Sequence, residues 1–498
     1  MERAETSDSP SVTAYTGARR VLAANWTGSS TVPSRALYPH QWSWDSGFVA
    51  IGLRHLSAEY AQRELETLLH AQWGDGRVPH IVFNPAVPLT AYFPSPDFWR
   101  SSSSGKRAGA PARVETSSIV QPPIHALAAW LVHQADPAAC ARRGFLERLY
   151  PRLVAWQRYL TGSRDLGGHG LAAIVHPWES GMDNSPCWDA PLSRVEPAAA
   201  GSFRRADLDH GVPADRPTDL DYGRYVRLAA DYRDQGYLDG PAGRGVPHRF
   251  AVEDPGFNAL LIASEHALAG IARRVGADPA DHLVRAQELT TALLKRLWHE
   301  EDGLFLCYDV LRREPIRERG ATGLLPLLVP GLPAHVVRAL LRTAAGPSFG
   351  LGGEALLVPS YDLTGRAFDP ARYWRGPAWF NVNWLLERGL RCQGATQAAD
   401  ALRTAAVHAA AASGFAEYVD PRTGRGRGAR DFSWTAALTI DLLASDPAGP
   451  AGLPAPRSAR NELPDELPEE LPRGLPRGLP RGWENEKSDQ HAPLPARP

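Results

Sequence analysis

The sequence predicts an all-α fold built as one helical toroid, on three observations. Helical patterns cover most of the chain between about residues 20 and 445. Strand-like runs are short, at 171–176 and 304–310, and they do not alternate with helices as they would around a parallel sheet. A chain of 498 residues is also long enough for one large toroid. The short runs therefore predict β-hairpins within the loops of a helical domain.

Helix starts are marked by Asp-Pro pairs, in which the aspartate caps the helix and the proline occupies its first turn. The clearest begin at Asp136, Asp254 and Asp278. After Asp254, apolar residues recur at spacings of three, four and seven as far as Gly276, which predicts an amphipathic helix of about five turns. Comparable patterns predict helices at 47–73, 122–135, 141–161, 280–299, 380–391, 396–413 and 433–444.

The composition divides the chain into three parts. Beyond about Ser445 the sequence is dominated by Pro, Glu and Arg, and Leu-Pro units recur every fourth residue through 463–476. Proline at that spacing excludes a continuous helix, and a segment with almost no aromatic residues buries too little surface to offset the entropy of ordering. We therefore predict a flexible N-terminus at 1–19, one domain at 20–445 and a disordered tail at 446–498.

Charge and motif content exclude several classes of protein. The 54 basic and 55 acidic residues give a net charge of -1, so no overall field attracts nucleic acid or an anionic membrane. Histidines are scattered, and the chain has no Walker loop, no G-x-S-x-G, no H-E-x-x-H and no dinucleotide-binding glycine motif. We therefore expect neither a metal site nor a cofactor.

Cysteine usage and hydropathy predict the compartment. No C-x-x-C pair occurs, and the four cysteines lie far apart, at Cys140, Cys187, Cys307 and Cys392. The N-terminus lacks an apolar core of signal-peptide length, and no run of about 18 apolar residues occurs. These features predict a soluble cytoplasmic protein without a disulfide framework. They leave the oligomeric state open, and a homo-oligomer is compatible with them.

The 15 tryptophans are concentrated in segments that also carry acids. Four such segments stand out, at 38–47, 176–189, 372–381 and 414–421, the last followed by an aromatic helix start at 432–437. Sugars present apolar CH faces and hydroxyl edges, so a carbohydrate site combines aromatic platforms with carboxylates and amides. The segments supply both, although capped helices and Asx-turn loops with packed indoles would leave the same pattern.

Acids in these segments suit glycosidic chemistry. Three carboxylates lie within 176–189, and Glu417 stands between two aromatic residues. A carboxyl group held against apolar rings has a raised pKa and can donate a proton, and a second can activate water or attack the sugar. Arg216 and Tyr222 stand near a predicted helix start, where the guanidinium could bind a substrate carboxylate or form a surface ion pair.

Taken together, the segments resemble glycoside hydrolase family 63, and within it the bacterial branch of glucosylglycerate and mannosylglycerate hydrolases. The match spans about residues 20–445. It is carried, in order, by YPHQWSWDSGFVAIG, HIVFNP with YFPSPDFW, QPPIHA, HPWESGMDNSPCWD, RPTDLDYGRY, RYWRGPAWFNVNWLL, and GFAEYVDPRTG with FSWTAAL. The resemblance implies an (α/α)6 barrel, inversion at the anomeric carbon and no required metal.

The resemblance also assigns roles to individual residues. The general acid falls on Asp183 in ESGMDNSP and the general base on Glu417 in FAEYVDP. An inverting enzyme holds these two carboxyls about 6.5 to 9.5 Å apart, so we expect them to face each other across the barrel mouth. Positions that bind or surround the sugar fall on Tyr38, Trp42, Asp45, Trp178, Gly181, Asn184, Tyr373, Trp374 and Trp379. Positions near the aglycone fall on Tyr92, Gln121, Arg216 and Tyr222, of which the arginine and the last tyrosine would serve a glycerate carboxylate.

Two segments depart from the family pattern, both near the expected aglycone. The segment 99–115 is longer and more basic than the family loop, and 425–431 does not align with it. The sequence thus predicts an inverting α-glycoside hydrolase acting on a small molecule, with glucosylglycerate as the preferred substrate. Mannosylglycerate and other small α-glucosides are alternatives. A glycoside phosphorylase or a non-catalytic carbohydrate-binding protein would have no need to retain both acids.

Overall fold

The computed structural model describes residues 10–209, 212–239 and 248–444. Helices dominate these ranges, and a run of 3₁₀ helix spans Ala321–Leu328. The α-helices of the described residues are α1 (Pro10–Asn25), α2 (Ser43–Leu53), α3 (Ala58–His70), α4 (Pro96–Trp99), α5 (Ser101–Ser104), α6 (His125–Ala135), α7 (Pro137–Arg143), α8 (Phe145–Ser163), α9 (Asp189–Leu192), α10 (Asp219–Asp234), α11 (Pro255–Val275), α12 (Ala280–Leu297), α13 (Ala334–Ala345), α14 (Phe380–Cys392), α15 (Thr396–Ala412) and α16 (Ser433–Ala444).

Strands of two residues join the loops in small antiparallel sheets. The strands of the described residues are β1 (Gln41–Trp42), β2 (Ile81–Val82), β3 (Ala173–Ile174), β4 (Val252–Glu253), β5 (Trp298–His299), β6 (Leu304–Phe305), β7 (Tyr308–Asp309), β8 (Glu314–Pro315), β9 (Ala378–Trp379), β10 (Tyr418–Val419) and β11 (Gly426–Arg427). They pair as β1 with β2, β5 with β6, β3-β4-β7-β8, and β9-β10-β11. In the last sheet Tyr418 lies opposite both Trp379 and Arg427, so the sheet joins the loops that precede α14 and α16.

The main helices form two layers around a closed cycle. Within the described ranges, α2 contacts α6, α6 contacts α11, and α11 contacts the 3₁₀ segment. The cycle continues through α14 and α16, and α16 contacts α2 again. Each element of this inner ring is contacted by a second helix: α1 packs on α16, α3 on α2, α8 on α6 and α11, α12 on α11, α13 on the 3₁₀ segment, and α15 on α14. Outer and inner elements therefore alternate along the chain.

Hydrophobic patterning explains which helices lie inside. Every residue of α2 is buried, and in α14 the buried run extends from Phe380 to Leu390. A helix that is buried on every side must be surrounded by neighbouring elements. Helix α3 instead buries one stripe that contains Leu65, Leu68 and Leu69, which is the pattern of an outer helix with a solvent face.

The prediction of a mainly helical fold with small sheets in its loops is confirmed. The run at 304–310 contributes β7, which forms a hairpin with β8, whereas β3 in the run at 171–176 pairs with the sequence-distant β4. The helix predicted to follow Asp254 is α11, and the Asp254 side chain caps it by accepting from the amides of Gly256 and Phe257. The pattern predicted at 47–73 divides into α2 and α3, because the chain turns at 54–57 and the Ser57 hydroxyl caps α3. Helix α13 was not predicted, and of α10 only the start near Arg216 was.

Helix α1 corrects the predicted N-terminal boundary. Residues 10–19, assigned above to a flexible segment, belong to α1, which packs on α16. Ala14, Ala18 and Val21 lie at most 1% exposed and recur at helical spacing. Alanine and glycine give only a weak hydrophobic signal, so this buried face did not stand out in the sequence. Residues 1–9 and the predicted tail at 446–498 lie outside the described residues.

The described ranges contain no helix that is both long and apolar enough to cross a membrane. The four cysteines carry free thiols. The cytoplasmic location and the oligomeric state stay predictions.

A buried ion pair between Arg164 and Glu179 joins two loops. Arg164 donates from Nη1 and Nη2 to the two carboxylate oxygens of Glu179 at 2.6 and 2.8 Å, and both side chains are at most 1% exposed. The Glu179 carboxylate also accepts from the amides of Val120 and Val175 at 3.1 and 2.7 Å. One carboxylate therefore ties the loop before α6 to the loop after β3.

We expect Glu179→Gln to lower the free energy of unfolding by about 3 to 5 kcal/mol, because it removes one of the two carboxylates that pair with the buried Arg164 guanidinium, the other being Asp239 at 3.3 Å. Urea unfolding followed by circular dichroism measures the loss. Glu354→Gln is the matched control, since Glu354 pairs with Arg422 on the surface and its side chain is 55% exposed. Its loss should stay below about 1 kcal/mol. Equal losses in the two variants would contradict the special role of the buried pair.

Candidate active site

Loops that lead into the inner ring meet around one cavity. They precede or begin α2, α6, α11, α14 and α16, and they contain most of the residues predicted to bind substrate. Those that line the cavity are Tyr38, Trp42, Asp45, Tyr92, Gln121, Trp178, Gly181, Asp183, Arg216, Tyr222, Tyr373 and Glu417. The ring thus brings together residues from distant parts of the sequence.

Three aromatic residues form one wall of the cavity. Strand β1 places Trp42 directly before α2, and the indole is 5% exposed. Tyr38 and Tyr92 contact it edge-on, with ring centroids 5.3 and 5.2 Å from the Trp42 centroid. Edge-to-face contacts of this kind hold the indole in place and leave an apolar surface toward the cavity.

Asp45 lies in the first turn of α2 and points into a site rich in carboxylates. It is 5% exposed. Burial raises its pKa well above the ordinary value, and the nearby Glu417 and Asp183 carboxylates raise it further. Gln121 steadies the same turn, because its Oε1 accepts from the amide of Trp44 at 3.1 Å. Asp45 therefore lines the cavity and does not cap α2, whose N-cap residue is Trp42.

The second aromatic segment supplies a floor made of Trp178 and Gly181. The Trp178 ring packs against those of Tyr222 and Tyr225, with centroids 6.1 and 5.7 Å away. Gly181 has φ of 69°, and a Cβ there would lie 2.5 Å from the Trp44 indole. A larger residue would therefore displace an aromatic group that also lines the cavity.

Hydrogen bonds to backbone carbonyls hold the segment that contains Asp183, and Asp183 lines the cavity. The Trp188 indole donates to the carbonyl of Met182 at 2.8 Å, and the Tyr225 hydroxyl donates to the Asp183 carbonyl at 2.9 Å. Burial raises the pKa of Asp183 to about 7, although the Arg216 guanidinium opposes the shift. A carboxyl group with this pKa is partly protonated near neutral pH and can serve as a proton donor.

Glu417 is fixed by three donors. Its Oε1 accepts from the hydroxyls of Tyr38 and Tyr373 at 3.0 and 3.2 Å, and its Oε2 accepts from the amide of Ala429 at 3.0 Å. Burial raises its pKa, whereas the Arg216 guanidinium and these hydrogen bonds favour the carboxylate. The two acids thus differ in environment: Glu417 accepts from two tyrosine hydroxyls as well as from a backbone amide, whereas the pKa of Asp183 is lowered only by the Arg216 guanidinium and a backbone hydrogen bond.

Arg216 contacts the two tyrosines that donate to Glu417. Its Nη2 donates to the Tyr38 hydroxyl at 3.1 Å, and its guanidinium lies over the Tyr373 ring, 4.5 Å from the centroid. The residue is 8% exposed and lines the cavity. It places a fixed positive charge beside carboxylates that would otherwise repel one another.

Three predicted residues lie behind the cavity and do not line it in this structure. Trp374 and Trp379 stack face to face with centroids 3.7 Å apart, and Trp379 also contacts the ring of Tyr373 edge-on at 5.0 Å. Both indoles are at most 1% exposed. Asn184 is 3% exposed and lies outside the lining. The stacked pair supports Tyr373, which donates to Glu417.

The cavity also contains residues that sequence reasoning did not select, among them Trp44, His80, Asp207, Tyr225 and Trp434. Trp44, Tyr225 and Trp434 stand within the conspicuous motifs, so their place in the motif was a usable signal. Asp207 lies in a stretch without any recognised pattern. The described residues contain no group of three or more histidine, cysteine or acidic side chains arranged to hold a metal ion.

Gly428 allows the backbone to approach the Glu417 carboxylate. It has φ of 68°, and a Cβ there would lie 2.4 Å from Glu417 Oε2. We expect Gly428→Ala to lower kcat by about 10- to 100-fold by displacing that oxygen. Gly276→Ala is the control, because φ is 75° there and nothing lies within 4 Å of an added Cβ. Steady-state kinetics measure kcat, and thermal melts measure the stability of each variant. A loss of activity in both variants, in proportion to their loss of stability, would contradict this expectation.

A family model for the mannosylglycerate hydrolase MGH1-like glycoside hydrolase domain matches residues 38–435. The chain belongs to this family. The match includes Asp183 and Glu417 together with the loops that form the cavity. The chain is therefore a glycoside hydrolase of family 63, and the resemblance seen in the sequence is confirmed.

Similar members of the MGH1-like family carry two activities. Mannosylglycerate hydrolase of Rubrobacter radiotolerans is 41% identical over 429 residues, which cover 86% of this chain and 96% of the relative. Glucosylglycerate hydrolase of Mycolicibacterium hassiacum is 37% identical over 437 residues, covering 85% and 96%. A family 63 mannosylglycerate hydrolase of Thermus thermophilus, solved in complex with Tris and D-glycerate, is 38% identical with a TM-score of 0.76, covering 86% of this chain and 99% of that one.

Proposed function

We propose that the chain hydrolyses α-glycosides of glycerate with inversion at the anomeric carbon, and that glucosylglycerate is its main substrate. The observation that carries the proposal is the pair of acids in one cavity. Asp183 has a pKa of about 7, and Glu417 accepts hydrogen bonds from three donors. An inverting glycosidase needs this combination of a proton donor and a stabilised base.

In this mechanism Asp183 protonates the leaving oxygen of the glycosidic bond. Glu417 accepts a proton from a water molecule, which attacks the anomeric carbon from the opposite face of the sugar. Tyr38 and Tyr373 orient the base through hydrogen bonds to Oε1, and the Ala429 amide donates to Oε2, so one lone pair of Oε2 stays available for water. The aromatic wall excludes bulk water from the remaining surface of the sugar.

The fold proposed for this activity is an (α/α)6 barrel, formed as one catalytic domain that ends near residue 445. The closed cycle of inner elements and the alternation of outer and inner helices support it. In such a barrel the loops that enter the inner helices share one face. That geometry accounts for a cavity built from five separate loops.

Glycerate is the proposed aglycone because Arg216 offers a guanidinium at the cavity wall. A carboxylate suits a planar guanidinium, and two hydrogen bonds can form between them. The Thermus relative was solved with D-glycerate, and both named activities of similar family members act on glycosides of glycerate. Mannosylglycerate is the second candidate substrate, since the Rubrobacter relative with that activity is 41% identical.

Turnover of a small panel tests the proposal. The purified protein is incubated with glucosylglycerate, mannosylglycerate, trehalose, maltose and kojibiose, with and without phosphate, and the anomer released first is identified by NMR. Release of the β-anomer from glucosylglycerate without phosphate is expected. Release of the α-anomer would refute inversion, dependence on phosphate would indicate a phosphorylase, and preference for mannosylglycerate would reassign the sugar.

The pH dependence of kcat/KM follows from the two acids. Because the proton donor is lost as Asp183 ionises, kcat/KM should fall as the pH rises through about 7. It should also fall as the pH drops and Glu417 becomes protonated. Because burial raises the pKa of Glu417, this fall should begin at a higher pH than for an ordinary glutamate. Initial rates between about pH 4 and 9 measure both limbs. A rate that stayed constant through the neutral range would contradict the assignment of Asp183 as the acid.

A further inference from the structure

Asp207 places a second polar group at the Arg216 end of the cavity. Its side chain is 13% exposed, it lines the cavity, and its Oδ2 lies 3.6 Å from Arg216 Nε. Tyr222 and Pro217 line the same end. A cation and an anion therefore stand side by side where the aglycone is proposed to bind.

The Asp207 carboxylate is held from behind by Arg205. Arg205 Nε donates to Oδ1 at 2.8 Å and its Nη2 donates to Oδ2 at 2.7 Å. The same Nη2 donates to the carbonyl of Pro217 at 3.0 Å, and the guanidinium lies 4.2 Å from the centroid of the Tyr222 ring. Each carboxylate oxygen has a further lone pair, so Asp207 can still accept a hydrogen bond from the cavity side.

Asp207 is not simply the counter-ion of Arg216. The separation of 3.6 Å exceeds hydrogen-bond length, and Arg216 Nε makes no hydrogen bond within the described residues. Arg205 instead donates one hydrogen bond to each carboxylate oxygen of Asp207. Arg216 thus keeps donors for a ligand anion, and Asp207 keeps acceptors for a ligand hydroxyl.

We propose that Asp207 is a specificity-determining residue that accepts a hydrogen bond from the free hydroxyl of the aglycone while Arg216 binds its carboxylate. This inference rests on the proposed function. Glycerate has two hydroxyls, of which the glycosidic bond uses one, so a carboxylate and one free hydroxyl remain on the aglycone. The adjacent cation and anion of the cavity match those two groups. Lactate has the same carboxylate but lacks the second hydroxyl.

The test compares 2-O-glucosylglycerate with 2-O-glucosyllactate in the wild type and in Asp207→Asn. In the wild type, kcat/KM should favour the glycerate compound by about 10- to 100-fold, the value of one charge-assisted hydrogen bond. Asp207→Asn should lower kcat/KM on the glycerate compound and leave the lactate compound nearly unchanged, so that the ratio moves toward one. Asp209→Asn is the matched control, since Asp209 lies in the same helical turn, pairs with Arg204 and has a side chain that is 46% exposed.

The result that would refute the role of Asp207 differs from the result that would refute the proposed function. Equal rates on the two compounds in the wild type, or an unchanged ratio in Asp207→Asn, would refute the role of Asp207. Turnover of neither compound, with turnover of another α-glucoside, would refute the glycerate proposal itself. Product inhibition of the wild type tests the contact without any variant. Free glycerate should inhibit at about 10-fold lower concentration than lactate, and equal inhibition would overturn the inference.

Discussion

Asp183→Asn is expected to lower kcat on glucosylglycerate by about 10²- to 10⁴-fold, because asparagine cannot donate a proton to the leaving oxygen. The loss should depend on the leaving group. Fluoride departs without protonation, so the variant should keep most of its activity on α-glucosyl fluoride. Steady-state rates on both substrates measure this contrast.

The control for this variant is Asp189→Asn. Asp189 belongs to the same segment, but its side chain is 51% exposed and pairs with Arg375 at 2.6 Å. It is not among the residues that line the cavity. Its replacement should leave both rates within about twofold of the wild type. A large, equal loss on both substrates in Asp183→Asn would show that Asp183 acts in some way other than as the proton donor.

Glu417→Gln is expected to lower kcat by about 10²- to 10⁴-fold on both glucosylglycerate and α-glucosyl fluoride. A better leaving group does not help this variant, because the attacking water still lacks a base. Glutamine also cannot accept from the Ala429 amide and from both tyrosine hydroxyls at once, since one of its terminal atoms is a donor. The same two rates measured for Asp183→Asn distinguish the acid from the base.

Two results would contradict the assignment of Glu417. One is retention of fluoride hydrolysis in Glu417→Gln, which would indicate that another group activates water. The other is recovery of glucosylglycerate cleavage on addition of phosphate, which would place the chain among phosphorylases. Glu354→Gln, an exposed carboxylate that pairs with Arg422, controls for the loss of one acid and should change neither rate.

Sequence reasoning succeeded where a signal is confined to one segment. The prediction that a helix follows Asp254 agrees with α11, because the cap and the apolar stripe are properties of neighbouring residues. It failed for α1, whose buried face contains Ala14 and Ala18 and is therefore weakly hydrophobic. It also merged α2 with α3, because a short turn interrupts a helical pattern only slightly.

The candidate site shows the same division. The motifs identified the segments that line the cavity, but they did not distinguish the residues that line it from those that pack behind them. Trp374 and Trp379 have the composition of a sugar platform, but their mutual stacking places them behind Tyr373. Asp207 had no motif, and its relevance follows only from its position beside Arg216.

The sequence by itself determined the helical class, the capped starts of several helices and the types of side chain available to a sugar site. Hydrophobic spacing and capping act between residues a few positions apart, so they can be read along the chain. The tertiary structure decided that Asp183 and Glu417 share one cavity, that Glu417 is held by Tyr38, Tyr373 and Ala429, and that Arg216 stands beside Asp207. Those contacts depend on closure of the inner ring, which no local pattern records.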